Sequence, residues 1–172
     1  MAAERLFFAL WPTPEVRDAL AAEVRALPGG HGRPHHPDDL HLTLVFVGAV
    51  ADDIRPCIEA AGDGAGAGTF QLRLDEAGYW RRPRIRWCRP SVAPPELLGL
   101  VGQLEAAMRA CGLEPEARPY RPHVTLARKA APLTHRLLPA PVVWTVDSFV
   151  LAASGSDSPP RYRVLRRWPL QG

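Results

Sequence analysis

Lysine is almost missing from this chain. Lys129 is the only one, and arginine supplies the rest of the basic side chains. With 19 prolines and abundant alanine and glycine, that skew fits a GC-rich genome. The number of arginines therefore says nothing about a nucleic-acid partner, and only their placement is informative. Cysteine is scarce too. Cys57, Cys88 and Cys111 are odd in number, far apart and without a C-x-x-C pair. That excludes a cysteine-built zinc site and favours three reduced thiols in a cytoplasmic protein. The histidine spacings that hold zinc, H-x-H and H-E-x-x-H, are also absent. No run approaches the roughly 18–20 apolar residues that a membrane span needs. The opening MAAERLFFALWP has too short an apolar part for a signal peptide, and it carries Glu4.

What is present is an ordinary globular composition: 172 residues, 47% hydrophobic and 23% charged. That length suits one domain, or two small lobes sharing a core. The net charge of +3 is compatible with an anionic partner without demonstrating one. Periodicity predicts a strand over 5–11, then a helix capped by Thr13 with Pro14 at its first position. Val16, Leu20, Val24 and Leu27 form its buried stripe. Residues 40–47 read as a strand and about 51–61 as a helix, with Pro56 against it. The glycine-rich 62–68 leads into a strand and not a helix, so it is a surface connector and not a phosphate cradle. Strands over 69–80 and 85–89 precede the clearest helix, 94–111, whose stripe is Leu97, Val101, Leu104, Met108 and Cys111. The segment 118–128 enters a further strand, and a final pair follows over 142–154 and 161–168. The order β-α-β-α-β-β-α-β-β-β points to an α+β fold with largely antiparallel sheets.

One phrase occurs twice. Residues 41–46 read HLTLVF and residues 123–128 read HVTLAR, 82 positions apart. On a strand of period two, His41 and Thr43 share one face while Leu42 and Leu44 anchor the other. His123 and Thr125 repeat the arrangement against Val124 and Leu126. If the two strands face each other across a cleft, two imidazoles and two hydroxyls converge. Imidazoles can supply one acid and one base near neutral pH, and hydroxyls can donate to non-bridging phosphate oxygens. That set suits displacement at phosphorus without a metal. Acyl chemistry would want a nucleophilic Ser or Cys, and nothing singles one out.

HLTLVFVG and RPYRPHVTLAR resemble the paired motifs of the 2H phosphoesterases, and within them the RNA 2′,3′-cyclic phosphodiesterases, also called 2′-5′ RNA ligases. RLFFALWPTPEVRDAL, the segment Tyr79–Cys88 and the C-terminal strands extend the likeness over nearly the whole chain. The resemblance implies one bilobal α+β domain over 1–172, with an H-x-T motif in each lobe (41–43 and 123–125). It implies two mainly antiparallel sheets facing a central cleft, with helices packed outside. It also implies hydrolysis of a 2′,3′-cyclic phosphate, on RNA ends or nucleotides, to a 2′-phosphate with no metal or other cofactor. His41 would be the general acid on the leaving ribose oxygen and His123 the base that activates water. Thr43, Thr125 and Arg128 would bind phosphate, and Phe46 would stack on the base. Strict alternation puts Phe46 and Arg128 on the wrong face, so each strand must end, twist or bulge just before them.

Reverse ligation to a 2′-5′ linkage, another cyclic phosphate such as that of ADP-ribose, and a non-catalytic nucleotide-binding module are the alternatives. The cytoplasm, a monomeric state and no membrane partner are expected. Arg81, Arg82, Arg84, Arg86 and Arg89, with Trp80 and Trp87 among them, read equally as an RNA track or as a solvated sheet face. Tyr120 and Arg121 are candidates for the cleft rim. His31, His35, His36 and His135 read as surface residues.

Overall fold

The Thr13 hydroxyl accepts from the Val16 N–H, and Pro14 opens the first helix where a missing N–H costs nothing. From such local signals the chain, in a computed structural model describing residues 4–172, builds three α-helices and nine strands. In order these are β1 (Arg5–Leu10), α1 (Pro14–Ala26), β2 (Arg33–Pro34), β3 (Leu42–Gly48), α2 (Arg55–Gly64), β4 (Phe70–Trp80) and β5 (Ile85–Arg89). Then come α3 (Pro95–Ala110), β6 (Val124–Arg128), β7 (Arg136–Val146), β8 (Ser148–Ser154) and β9 (Tyr162–Pro169). Short 3₁₀ turns cover 37–39 and 52–54.

Several details differ from the sequence reading. The expected strand 142–154 is two, β7 and β8, turning at Asp147, and β2 is additional. Pro56 falls in the first turn of α2, where proline is tolerated, so it does not break the helix. That helix runs through Gly62, which packs under the Trp168 indole. A Cβ there would lie 2.2 Å from the ring, so the residue must be glycine.

The strands pair antiparallel in the order β7-β4-β5-β6-β3-β1-β8-β9, with β2 on β6. β3 and β6 meet at a single pair, Leu42 with Val124. The expected two sheets are thus two four-stranded halves, β7-β4-β5-β6 and β3-β1-β8-β9, hinged into one connected sheet at that point. α1 packs on β6 and β7, and α3 packs on β3 with α2 beside it. The helices cover one face. Leu6, Leu20, Leu42, Leu97, Val124 and Leu151 belong to one continuous core beneath them. The opposite face carries a small cluster of Phe7, Ala9, Val150 and Ala152, with Trp11 and Tyr162 against it.

The cysteine expectation is corrected. Cys57 in α2 and Cys111 at the end of α3 form a disulfide with Cα atoms 5.9 Å apart, and only Cys88, buried, is free. The partners lie 54 residues apart, and the packing of α2 on α3 brings them together, a contact no spacing rule reveals. Cysteine usage therefore no longer argues for a reducing compartment. No helix among the described residues is long and apolar enough to cross a membrane.

Candidate active site

The single β3–β6 pair fixes the centre of the site. Continued one residue each way, the antiparallel register that joins Leu42 to Val124 sets His41 across from Thr125 and Thr43 across from His123. Leu42 and Val124 are fully buried, while all four motif residues are partly exposed. They line a cleft of about 840 Å³.

Both histidines are held the same way. The Nδ1 of His41 lies 2.7 Å from the Asp39 carbonyl, and the Nδ1 of His123 lies 2.7 Å from the Arg121 carbonyl. A carbonyl only accepts, so each Nδ1 carries the proton and donates it. In the neutral ring this leaves Nε2 as the basic nitrogen. The surroundings then differ. His41 sits in an aromatic cage, stacked on Trp11 at 5.2 Å, tilted against Phe7 at 4.9 Å and touched edge-on by Tyr162 at 5.0 Å. His123 meets the edge of Trp80 at 4.6 Å, and Arg121 lies over the outer part of that indole.

Burial dominates the electrostatics. It pushes His41 down to about 4; the Asp39 carbonyl and carboxylate oppose the shift, and His123 and Arg128 add to it. Burial also lowers His123, against the Arg121 carbonyl and with Arg128, Arg121 and Arg89. Burial thus favours the neutral form of both rings. Asp39 is itself buried, and its carboxylate accepts from the backbone N–H groups of Arg161 and Tyr162 at 2.9–3.1 Å. One residue thus anchors the His41 ring through its carbonyl and the start of β9, with Tyr162, through its side chain.

The alternation problem is resolved by two matching bulges. β3 slips register on β1 between Phe8–Val45 and Ala9–Thr43, leaving Leu44 extra. β6 slips on β5 between Arg86–Ala127 and Trp87–Thr125, leaving Leu126 extra. In each strand the two residues after the threonine are both buried and the next is exposed: Leu44, Val45, Phe46 and Leu126, Ala127, Arg128. A one-residue bulge flips the face of every later residue in its strand. Phe46 and Arg128 therefore line the same cleft as the motif residues.

The arginine cluster divides. Arg81 and Arg82 line the cleft. Arg84 lies in the exposed turn with φ of 67°, so it does not share a strand face with Arg86. Arg86 is buried and donates through Nε to the Ala131 carbonyl. Arg89 pairs with Glu76 at 2.8 Å and covers Trp87. Tyr120 and Arg121 line the cleft as expected, and the Tyr120 hydroxyl donates to the Thr43 carbonyl at 2.8 Å. His36 and His135 are exposed. His35 is not a surface residue; it is partly buried and lines the cleft. Sequence reading also missed Phe7, Trp11, Tyr162 and Asp39. Nothing local in the sequence marked them. Among the described residues no group of three or more His, Cys, Asp or Glu side chains could hold a metal ion.

The chain matches the 2′-5′ RNA ligase superfamily over residues 12–157. An RNA 2′,3′-cyclic phosphodiesterase of Escherichia coli K12 is 33% identical over 171 residues, covering 97% of each chain. A protein of the same name from Thermus thermophilus is 32% identical over 189 residues, covering 98% of this chain and 91% of its own. The crystal structure of E. coli LigT complexed with 3′-AMP superposes with a TM-score of 0.90 at 32% identity, over 99% of this chain and 100% of that one. The phosphate complex of LigT gives 0.85 at 30% identity, over the whole of both chains. The chain belongs to the 2′-5′ RNA ligase superfamily.

Proposed function

We propose that this protein is an RNA 2′,3′-cyclic phosphodiesterase that opens the cyclic ester to a 2′-phosphate with two histidines and no metal. The carrying observation is the pair of Nδ1-anchored imidazoles, each across from the other strand's threonine. His123 Nε2 takes a proton from water as its oxygen attacks phosphorus. The P–O3′ bond breaks, and His41 gives O3′ a proton from Nε2. Thr43, Thr125 and Arg128 donate to the phosphoryl oxygens, where charge is stabilised most effectively. Phe46 stacks on the base.

His41 must be protonated for this role, and burial opposes that. The negative charge of the bound cyclic phosphate supplies the missing stabilisation, with the Asp39 carbonyl holding the opposite side of the imidazolium. By microscopic reversibility the same rings would join a 5′-hydroxyl to the cyclic phosphate. The reading treats residues 1–172 as one bilobal unit, because each half contributes one motif to a shared cleft. The names of the relatives and the nucleotide complexes of the neighbours support RNA ends or nucleotides as substrate. The test is turnover of 2′,3′-cyclic AMP by the parent and by His41→Ala and His123→Ala. Turnover that survives in both folded variants would overturn the assignment.

A further inference from the structure

The cleft contains a third histidine that the two-histidine scheme does not use. β3 and β6 separate beyond Leu42–Val124, and β2 occupies the edge of β6 that is left open. Arg33 pairs with Arg128, Pro34 pairs with Ala127, and the His35 N–H donates to the Leu126 carbonyl at 2.9 Å. That pairing pins the His35 backbone to the strand that carries Thr125 and Arg128. Its side chain lines the cleft together with His41.

The His35 ring differs from its neighbours in its nitrogens. Its Nδ1 is buried with no hydrogen-bond partner. Burial, Arg128, His41 and Arg161 push its pKa down to about 3, so the ring is neutral and holds one proton. A buried N–H with no acceptor is costlier and rarer than an under-satisfied acceptor, so the proton belongs on Nε2. His41 and His123 have the reverse tautomer, with Nδ1–H tied to a carbonyl. Two rings thus offer lone pairs, and the third offers an N–H that is never shed as an acid near neutral pH.

We propose that His35 is a substrate-binding residue whose Nε2–H donates to a phosphoryl oxygen of the cyclic phosphate, beside Arg128. This rests on the phosphodiesterase reading of the same cleft. The position suits phosphate and not the nucleobase, because the charged neighbours of His35 are Arg128 and Arg161, which gather an anion. A neutral donor there adds a hydrogen bond without adding charge beside Arg128.

The test uses the whole protein with ¹⁵N-labelled histidine, observed by NMR and titrated with inorganic phosphate. His35 should show the Nε2–H tautomer and His41 and His123 the Nδ1–H tautomer, and phosphate should shift His35 Nε2. His35→Val should bind phosphate and 2′-AMP about tenfold more weakly, the usual value of a hydrogen bond to a charged group. His35→Gln, which keeps an N–H, should recover most of that loss, and adenosine binding should be unchanged in both. An Nδ1–H tautomer at His35, or shifts at His41 and His123 without one at His35, would overturn this inference and leave the phosphodiesterase reading intact. So would loss of adenosine binding with phosphate binding kept. No phosphate response at any of the three rings would instead sink both.

Discussion

A hydrogen bond from one ring nitrogen fixes the tautomer and the orientation of the other, and two backbone carbonyls do this at His41 and His123. His41→Ala and His123→Ala should each lower kcat about 10²–10⁴-fold, the usual worth of a positioned acid or base. Thr43→Ala and Thr125→Ala remove one of several phosphate donors and should cost about 5–150-fold, or about 1–3 kcal/mol. Steady-state kinetics on 2′,3′-cyclic AMP checks both, with melting curves to show that the variants are folded. The pH dependence carries a sign. Burial lowers both histidines, and kcat/KM reports the free enzyme. Bound phosphate favours the protonated rings, and kcat reports the complex. The bell-shaped profile of kcat should therefore lie at higher pH than that of kcat/KM. Profiles that coincide would mean that substrate charge does not protonate His41.

Elements were legible where periodicity is unbroken. Helices α1 and α3 and the motif strands follow from their apolar spacing and from Thr13 and Pro14. The paired bulges were legible only as a need: for Phe46 and Arg128 to reach the cleft, each strand had to end, twist or bulge before them. The extra residues, Leu44 and Leu126, look like any other strand leucine, because a bulge is set by pairing with a neighbour and not by local composition. The aromatic support of His123 is likewise a matter of pairing. Gly78 faces Trp87 across β4 and β5, and a Cβ on Gly78 would lie 2.4 Å from the indole. Trp87 in turn lies 5.5 Å from Trp80, which meets His123. Gly78→Ala should overpack this row and cost about 1–3 kcal/mol of stability. It should also lower kcat by displacing Trp80. A denaturant melt followed by tryptophan fluorescence, with kcat measured alongside, checks this; an unchanged melt and rate would show that the row does not position the ring.

At the scale of the whole molecule, the two halves meet at one residue pair and share one core, while the Cys57–Cys111 link braces α2 against α3. Its pairing was hidden from the sequence for the same reason as His35: both depend on segments brought together by distant strands and helices. Thiol titration in denaturant should find one cysteine without reductant and three with it. Reduction should cost about 4 kcal/mol of stability by the loop-entropy relation for a closure of this length. Three thiols without reductant would restore the sequence expectation. The double H-x-T phrase carried most of the site, because chemistry at phosphorus needs few residue types and this chain repeats them in matching strands. The central claim is tested most directly by incubating 2′,3′-cyclic AMP with the parent protein in excess chelator and following the reaction by phosphorus NMR. A resonance of the 2′-phosphomonoester should replace that of the cyclic phosphate, and should grow at least about a hundredfold more slowly with His41→Ala or His123→Ala. Binding of 2′-AMP without turnover, or activity lost to chelator and restored by one added metal, would contradict two-histidine catalysis.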